Sequence, residues 1–167
     1  MVGCSSIEKT SIYGSVARSQ VKGEDVYTEI TGVRFDLDTT KYTRLPEIYG
    51  NFDITLELYG GITHGRAPGH TLGATAMLRY SYPLGRFTPY LEVGAGPTIL
   101  SVTTYEQEKS GFAFRDQVGI GTEFSITENL SLFAGYRFGH ISHAGLRNTR
   151  NRGIESDIGI LGLTWYY

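Results

Sequence analysis

Between Phe52 and Tyr59 the side chains alternate residue by residue. Phe52, Ile54, Leu56 and Leu58 are apolar, and Asp53, Thr55, Glu57 and Tyr59 stand between them. A period of two is the signature of a β-strand whose two faces meet different surroundings, because successive Cβ atoms point to opposite sides. One face here is apolar and the other carries charge. The same alternation returns in Leu72, Ala74, Ala76, Leu78 and Tyr80 against Gly73, Thr75, Met77, Arg79 and Ser81. It returns again in Leu91, Val93 and Ala95 against Tyr90, Glu92, Gly94 and Gly96.

Eight stretches read this way, which predicts an all-β chain. The first spans about residues 11–19 and the second about 26–37. In the second, apolar parity changes around Gly32: Val26 and Ile30 precede it, and Val33, Phe35 and Leu37 follow. A bulge or bend at that glycine is the expected cause. The sixth carries Phe112, Phe114, Val118, Ile120 and Phe124 on one face, with Asp116 a misfit on the same row. The seventh sets Leu130, Leu132, Ala134, Tyr136, Phe138, His140 and Ser142 on one face, and the eighth ends in Leu161, Leu163, Trp165 and Tyr167.

At 167 residues, one domain over 11–167 with a tail over 1–10 is the simplest division. The 22 Gly, 12 Tyr and 8 Phe favour short strands with aromatic girdles over helices. A net charge of −2, with both signs spread along the chain, leaves no electrostatic footprint for nucleic acid. No apolar run reaches the roughly 18 residues of a transmembrane helix, which says nothing against a barrel. The single cysteine, Cys4, excludes an intrachain disulfide. Its setting, Val2-Gly3-Cys4-Ser5-Ser6, resembles the end of a bacterial lipoprotein signal without the segments that normally precede it. A removed signal, a misplaced start and an exposed cysteine in a tail all fit.

Two features turn the strands into an architecture. The connections after strands one, three, five and seven read as long and polar, and those after four and six as tight; only the one after strand two breaks the alternation. Opposite the apolar rows lie Asp53, Glu57, Arg79, Glu92, Arg115, Glu123 and Arg137, a set of opposite charges suited to the interior of a small barrel with lipid outside. A soluble, lipocalin-like barrel has the same period with its faces exchanged. The closing row Leu163, Trp165, Tyr167 resembles the C-terminal signature of outer-membrane barrels. The expectation is therefore an eight-stranded antiparallel transmembrane β-barrel in a bacterial outer membrane.

The seventh and eighth strands also hold the residue types of nucleophilic catalysis. A serine needs a base to take its proton, and the base needs a third group to fix its tautomer. His140 and Ser142 are two apart on one strand face, at a Cα separation of about 6–7 Å. If the eighth strand returns antiparallel, counting back from Tyr167 puts Glu155 on that same outer face. Ser142, His140 and Glu155 can thus form nucleophile, base and orienter at one rim, although a His-x-Ser at a strand end also fits an ordinary wet rim. Arg147, Arg150 and Arg152 of the intervening loop fit a solvated tip or a site for the phosphates of a lipid headgroup.

At His140-Ile141-Ser142-His143-Ala144-Gly145-Leu146 and Gly153-Ile154-Glu155-Ser156 the chain resembles the lipid A 3-O-deacylases, the PagL-type outer-membrane esterases. The resemblance extends to Tyr90-Leu91-Glu92-Val93-Gly94-Ala95-Gly96-Pro97 and to the segment from Phe112-Ala113-Phe114 to Gly119-Ile120-Gly121, and is carried in the first half only by strand pattern and length. It implies Ser142 as nucleophile, His140 as base and Glu155 as orienting acid. The implied reaction is hydrolysis of the ester-linked acyl chain at the 3 position of lipid A in lipopolysaccharide, without metal or organic cofactor. The implied partners are that substrate and outer-membrane lipid, with a homodimer left open. The chain departs from the family in two places. His143 follows the serine where the family has an Asn thought to help hold the oxyanion, so a backbone amide or Gly145 becomes the candidate donor. The loop also looks one residue longer and lacks a proline.

Two other readings compete. One is a non-catalytic structural or binding barrel that keeps the hairpin. The other is a metal site built from His64, His70, His140 and His143, for which no cysteine or paired carboxylate stands at ligand spacing.

Overall fold

The computed structural model describes residues 7–21, 24–39, 50–65, 68–106, 110–146, 148 and 152–167. Eight strands follow one another: β1 (Ile7–Val21), β2 (Glu24–Asp38), β3 (Asn51–His64), β4 (Gly69–Ser81), β5 (Phe87–Leu100), β6 (Gly111–Ser125), β7 (Leu130–Ser142) and β8 (Ile154–Tyr166). Each pairs antiparallel with its neighbour, and β8 pairs back on β1 to close a barrel. Closure leaves no strand edge unpaired, the condition a sheet must meet to sit in lipid. β1 begins at Ile7, inside the stretch expected to be tail. Cys4 falls outside the described residues.

The alternation resolves as the charges suggest: polar rows point inward and apolar rows outward. Leu56, Leu58, Leu72, Leu78, Leu91, Val93, Val118, Ile120 and Leu161 are all exposed. Inside, Glu57 and Glu92 are shared among three guanidinium groups. Arg34 Nε lies 2.6 Å from Glu57, and Arg137 lies 2.6 Å from both Glu57 and Glu92. Arg79 lies 2.9 Å from Glu92. Aromatic faces complete the packing: the guanidinium of Arg34 lies 4.6 Å from the ring of Phe133, that of Arg79 4.3 Å from Tyr90, and that of Arg115 5.0 Å from Tyr59. Buried charges are tolerated only when paired in this way.

Above this cluster the interior changes character. Ala17, Val26, Ile30, Leu100, Val102 and Ile154 are buried there among serine and threonine hydroxyls. That change corrects the expected bulge at Gly32. The β1–β2 and β2–β3 registers run without a shift through Tyr13↔Gly32 and Gly32↔Tyr59. Val26 and Ile30 are apolar because they point into the apolar upper interior, and Val33, Phe35 and Leu37 because they point the other way, toward lipid. Gly32 itself faces inward, with the ring of Tyr13 over it at 2.6 Å from where a Cβ would stand.

The expected rhythm of connections needs correction too. β1 ends at Val21 and β2 begins at Glu24, and β3 ends at His64 and β4 begins at Gly69. On that rim only the connections after β5 and β7 are long, because β3 runs on through Gly60-Gly61-Ile62-Thr63-His64 before the chain turns.

Candidate active site at the rim of β6, β7 and β8

β7 stands between β6 and β8, and register fixes what surrounds its last turn of chain. His140 is directly opposite Glu155 on β8 and Asp116 on β6. Ser142, the last residue of β7, is opposite Phe114. His140, Ser142, Glu155 and Asp116 share the outward face, on which alternate residues from Leu132 through Phe138 meet lipid. Opposed residues in an antiparallel pair have Cβ atoms about 5 Å apart. The three residues expected to act together are therefore neighbours. Among the described residues no hydrogen bond joins them directly, and catalytic contacts of this kind commonly tighten only around substrate.

Polar side chains on the outer surface mark the height of the site. Arg18 of β1 is opposite Asp157 of β8 and lies 2.8 Å from Asp25. The Tyr136 hydroxyl donates to Asp157. These residues lie toward the same rim as Glu155, above a continuous apolar band, which places Ser142 where headgroups meet acyl chains.

The residues after Ser142 form a tight turn. Ala144 and Gly145 both have positive φ, 50° and 74°, and the N–H of Leu146 donates to the carbonyl of His143 at 2.9 Å. Two consecutive positive-φ residues define the turn type that suits the twist of a hairpin. His143 is 1 % exposed and points inward, to the face opposite Ser142. Ala144 and Gly145, next along the turn, are exposed.

Of the loop arginines, Arg147 and Arg150 lie outside the described residues. Arg152 is exposed; its backbone N–H donates to the carbonyl of Glu106 at 3.1 Å and its guanidinium lies 5.7 Å from the ring of Tyr105. It ties the start of β8 to the β5–β6 connection. His64 and His70 face outward on β3 and β4, strands away from His140. Among the described residues no group of three or more His, Cys, Asp or Glu side chains is arranged to hold a metal ion.

Two neighbours of His140 went unread in the sequence. Asp116, the misfit on its row, stands opposite His140 in the β6–β7 register. Gly153 lies against the ring: a Cβ there would overlap His140 Cε1 and stand 2.8 Å from Nε2 and 3.0 Å from Nδ1. The charge out of place at 116 was a visible signal. The glycine had none beyond its place in the motif.

The profile of the lipid A 3-O-deacylase (PagL) family matches residues 30–164, which include β3 to β7 whole and β2 and β8 in part. The chain belongs to this family. A relative, the lipid A deacylase PagL of Bordetella bronchiseptica, is 29% identical over 172 aligned residues, covering 99% of this chain and 89% of the relative. Among solved structures, the outer-membrane enzyme PagL superposes with a TM-score of 0.71 at 22% identity, covering 90% of this chain and 97% of that one. Neisserial surface protein A superposes with a TM-score of 0.72 at 14% identity, covering 97% and 98%. At such identities the two structures establish a shared barrel. Membership of the deacylase family rests on the profile.

Proposed function

We propose that this member of the deacylase family is an outer-membrane esterase that removes the 3-O-linked acyl chain of lipid A with Ser142, His140 and Glu155. The observation that carries the reading is the register: His140 opposite Glu155, with Ser142 next on the same lipid-facing row. His140 takes the proton of Ser142 as Oγ adds to the ester carbonyl. Glu155 stabilises the imidazolium and fixes which ring nitrogen faces the serine. Backbone amides of the turn at Ala144 and Gly145 are the nearest candidates to receive the oxyanion.

Collapse of the tetrahedral species breaks the bond to the sugar oxygen, which takes the proton from His140 and leaves as the 3-hydroxyl. Water activated by the same imidazole then cleaves the acyl-serine and releases the fatty acid. The substrate need not leave the bilayer. An apolar groove of about 1130 Å³ on the outer surface is lined by Phe112, Ile99, Pro97, Ala74, Leu72 and Leu58, among others. Its upper end adjoins Phe114, which is opposite Ser142 on one side and Pro97 on the other. Three strand spacings separate β7 from β4, about 14 Å, close to the roughly 15 Å depth of one hydrocarbon leaflet.

The test is mass spectrometry of lipid A after incubation with the refolded protein in detergent, beside a Ser142→Ala control. Loss of one ester-linked chain that the control does not produce supports both reaction and nucleophile. Intact lipid A with a folded barrel refutes the reading and favours the non-catalytic one.

A further inference from the structure

Register alone does not choose a partner for His140, since it stands opposite a carboxylate on each side, Asp116 on β6 and Glu155 on β8. We propose that Gly153 makes the choice: the place of its missing side chain is the seat of the His140 imidazole, and Gly153 is a positioning residue for the catalytic base. The kinetic part of this inference rests on the reading above, and the structural part does not.

Gly153 directly precedes β8, one position beyond Ile154, which pairs with Ile141. It therefore lies beside Ser142, on the β8 side. Three ring atoms of His140 crowd the point where a Cβ would stand, with Nε2 at 2.8 Å and Nδ1 at 3.0 Å. The ring has left its own strand and leans toward β8 and toward Ser142, away from Asp116. Most glycines of comparable setting behave differently. Gly14 and Gly159, on the same outer surface, and Gly85 and Gly145, with φ of 66° and 74°, have nothing within 4 Å of that point. Gly153 combines both properties, a φ of 78° and an occupied Cβ position, as Gly50 does against Tyr80 with a φ of 86°, so a turn conformation alone does not account for it; at Gly153 the occupant is the imidazole. Its position is held from behind, because the neighbouring Arg152 N–H donates to the Glu106 carbonyl on the β5–β6 connection.

The two properties can be separated. Asparagine tolerates positive φ better than other residues with a side chain, so Gly153→Asn keeps the backbone and fills the seat. Gly85→Asn makes the same exchange at a lower-rim turn with nothing to displace. The Gly153→Asn barrel is expected to lose about 100-fold in kcat, the scale of a 1 Å misplacement of a reacting group, with KM changed less than about twofold, while Gly85→Asn keeps the parent rate. Denaturant midpoints provide a readout that needs no turnover. Gly153→Asn should lower the midpoint in the parent and do so much less in a His140→Ala background, where the seat is vacant. Equal shifts in the two backgrounds, or a Gly153→Asn enzyme within about twofold of the parent kcat, would overturn the proposal. If the parent shows no esterase activity at all, the reaction has been misassigned and the midpoints alone decide whether the seat exists.

Discussion

The middle of the barrel and the rim at β6–β8 both gather polar groups, and they treat them in opposite ways. In the middle each guanidinium has a carboxylate or an aromatic face: Arg34 and Arg137 share Glu57, Arg79 and Arg137 share Glu92, and Arg115 lies over Tyr59. At the rim, Asp116, His140, Ser142 and Glu155 face outward together, and none is hydrogen-bonded to another of the four among the described residues. Charges locked against one another and against aromatic faces make a scaffold. Adjacent groups that leave one another's hydrogen-bonding capacity open can bond elsewhere, and that difference separates the part of the chain that holds the shape from the part proposed to act on substrate.

The contrast breaks most clearly at Ser142. Ser142→Ala should lower lipid A deacylation by about 10⁴-fold or more with no change in the heat-modified gel mobility that reports a folded barrel; comparable turnover in the variant would remove the nucleophile from the rim. Arg137→Ala should do the reverse. It strips both Glu57 and Glu92 of a partner, so stability should fall by about 3–5 kcal/mol in denaturant titration while the rate per folded molecule holds. A specific rate that collapsed with it would show that the interior is part of the machinery.

Smaller effects sharpen the line. Glu155→Gln should slow turnover roughly 100-fold, less than a buried orienting acid would, since Glu155 is exposed and its charge is screened. Last, Ala74→Trp should partly fill the outer groove and raise KM for lipid A by about tenfold at most, leaving a short soluble ester untouched. Equal effects on both esters would place the chain elsewhere.

Much of this was legible because alternation in a barrel is strict. Glu57, Arg79, Glu92 and Arg137 announced themselves as one face, and counting by twos from Tyr167 to Glu155 was enough to bring the carboxylate onto the row of His140. Gly32 shows where the method stops. A period of two says that faces differ and not how the interior changes with height, so Val26 and Ile30 looked like a break in the strand when they mark the passage from an ionic to an apolar lumen. Asp116 stood out as anomalous but received no partner until the β6–β7 register was known. Gly153 lay further from reach, since which way an imidazole leans is a matter of rotamer and neighbouring backbone, neither of which has a period.

The guanidinium–carboxylate cluster has a consequence beyond stability. Glu57, Glu92, Arg34, Arg79 and Arg137 meet across the lumen and are at most a few per cent exposed, so the barrel is stoppered at mid-height by its own side chains. Small solutes and ions find no continuous aqueous path through it. A membrane can therefore carry many copies of this protein without loss of its permeability barrier, and its abundance is free to be set by the demand for its surface chemistry alone.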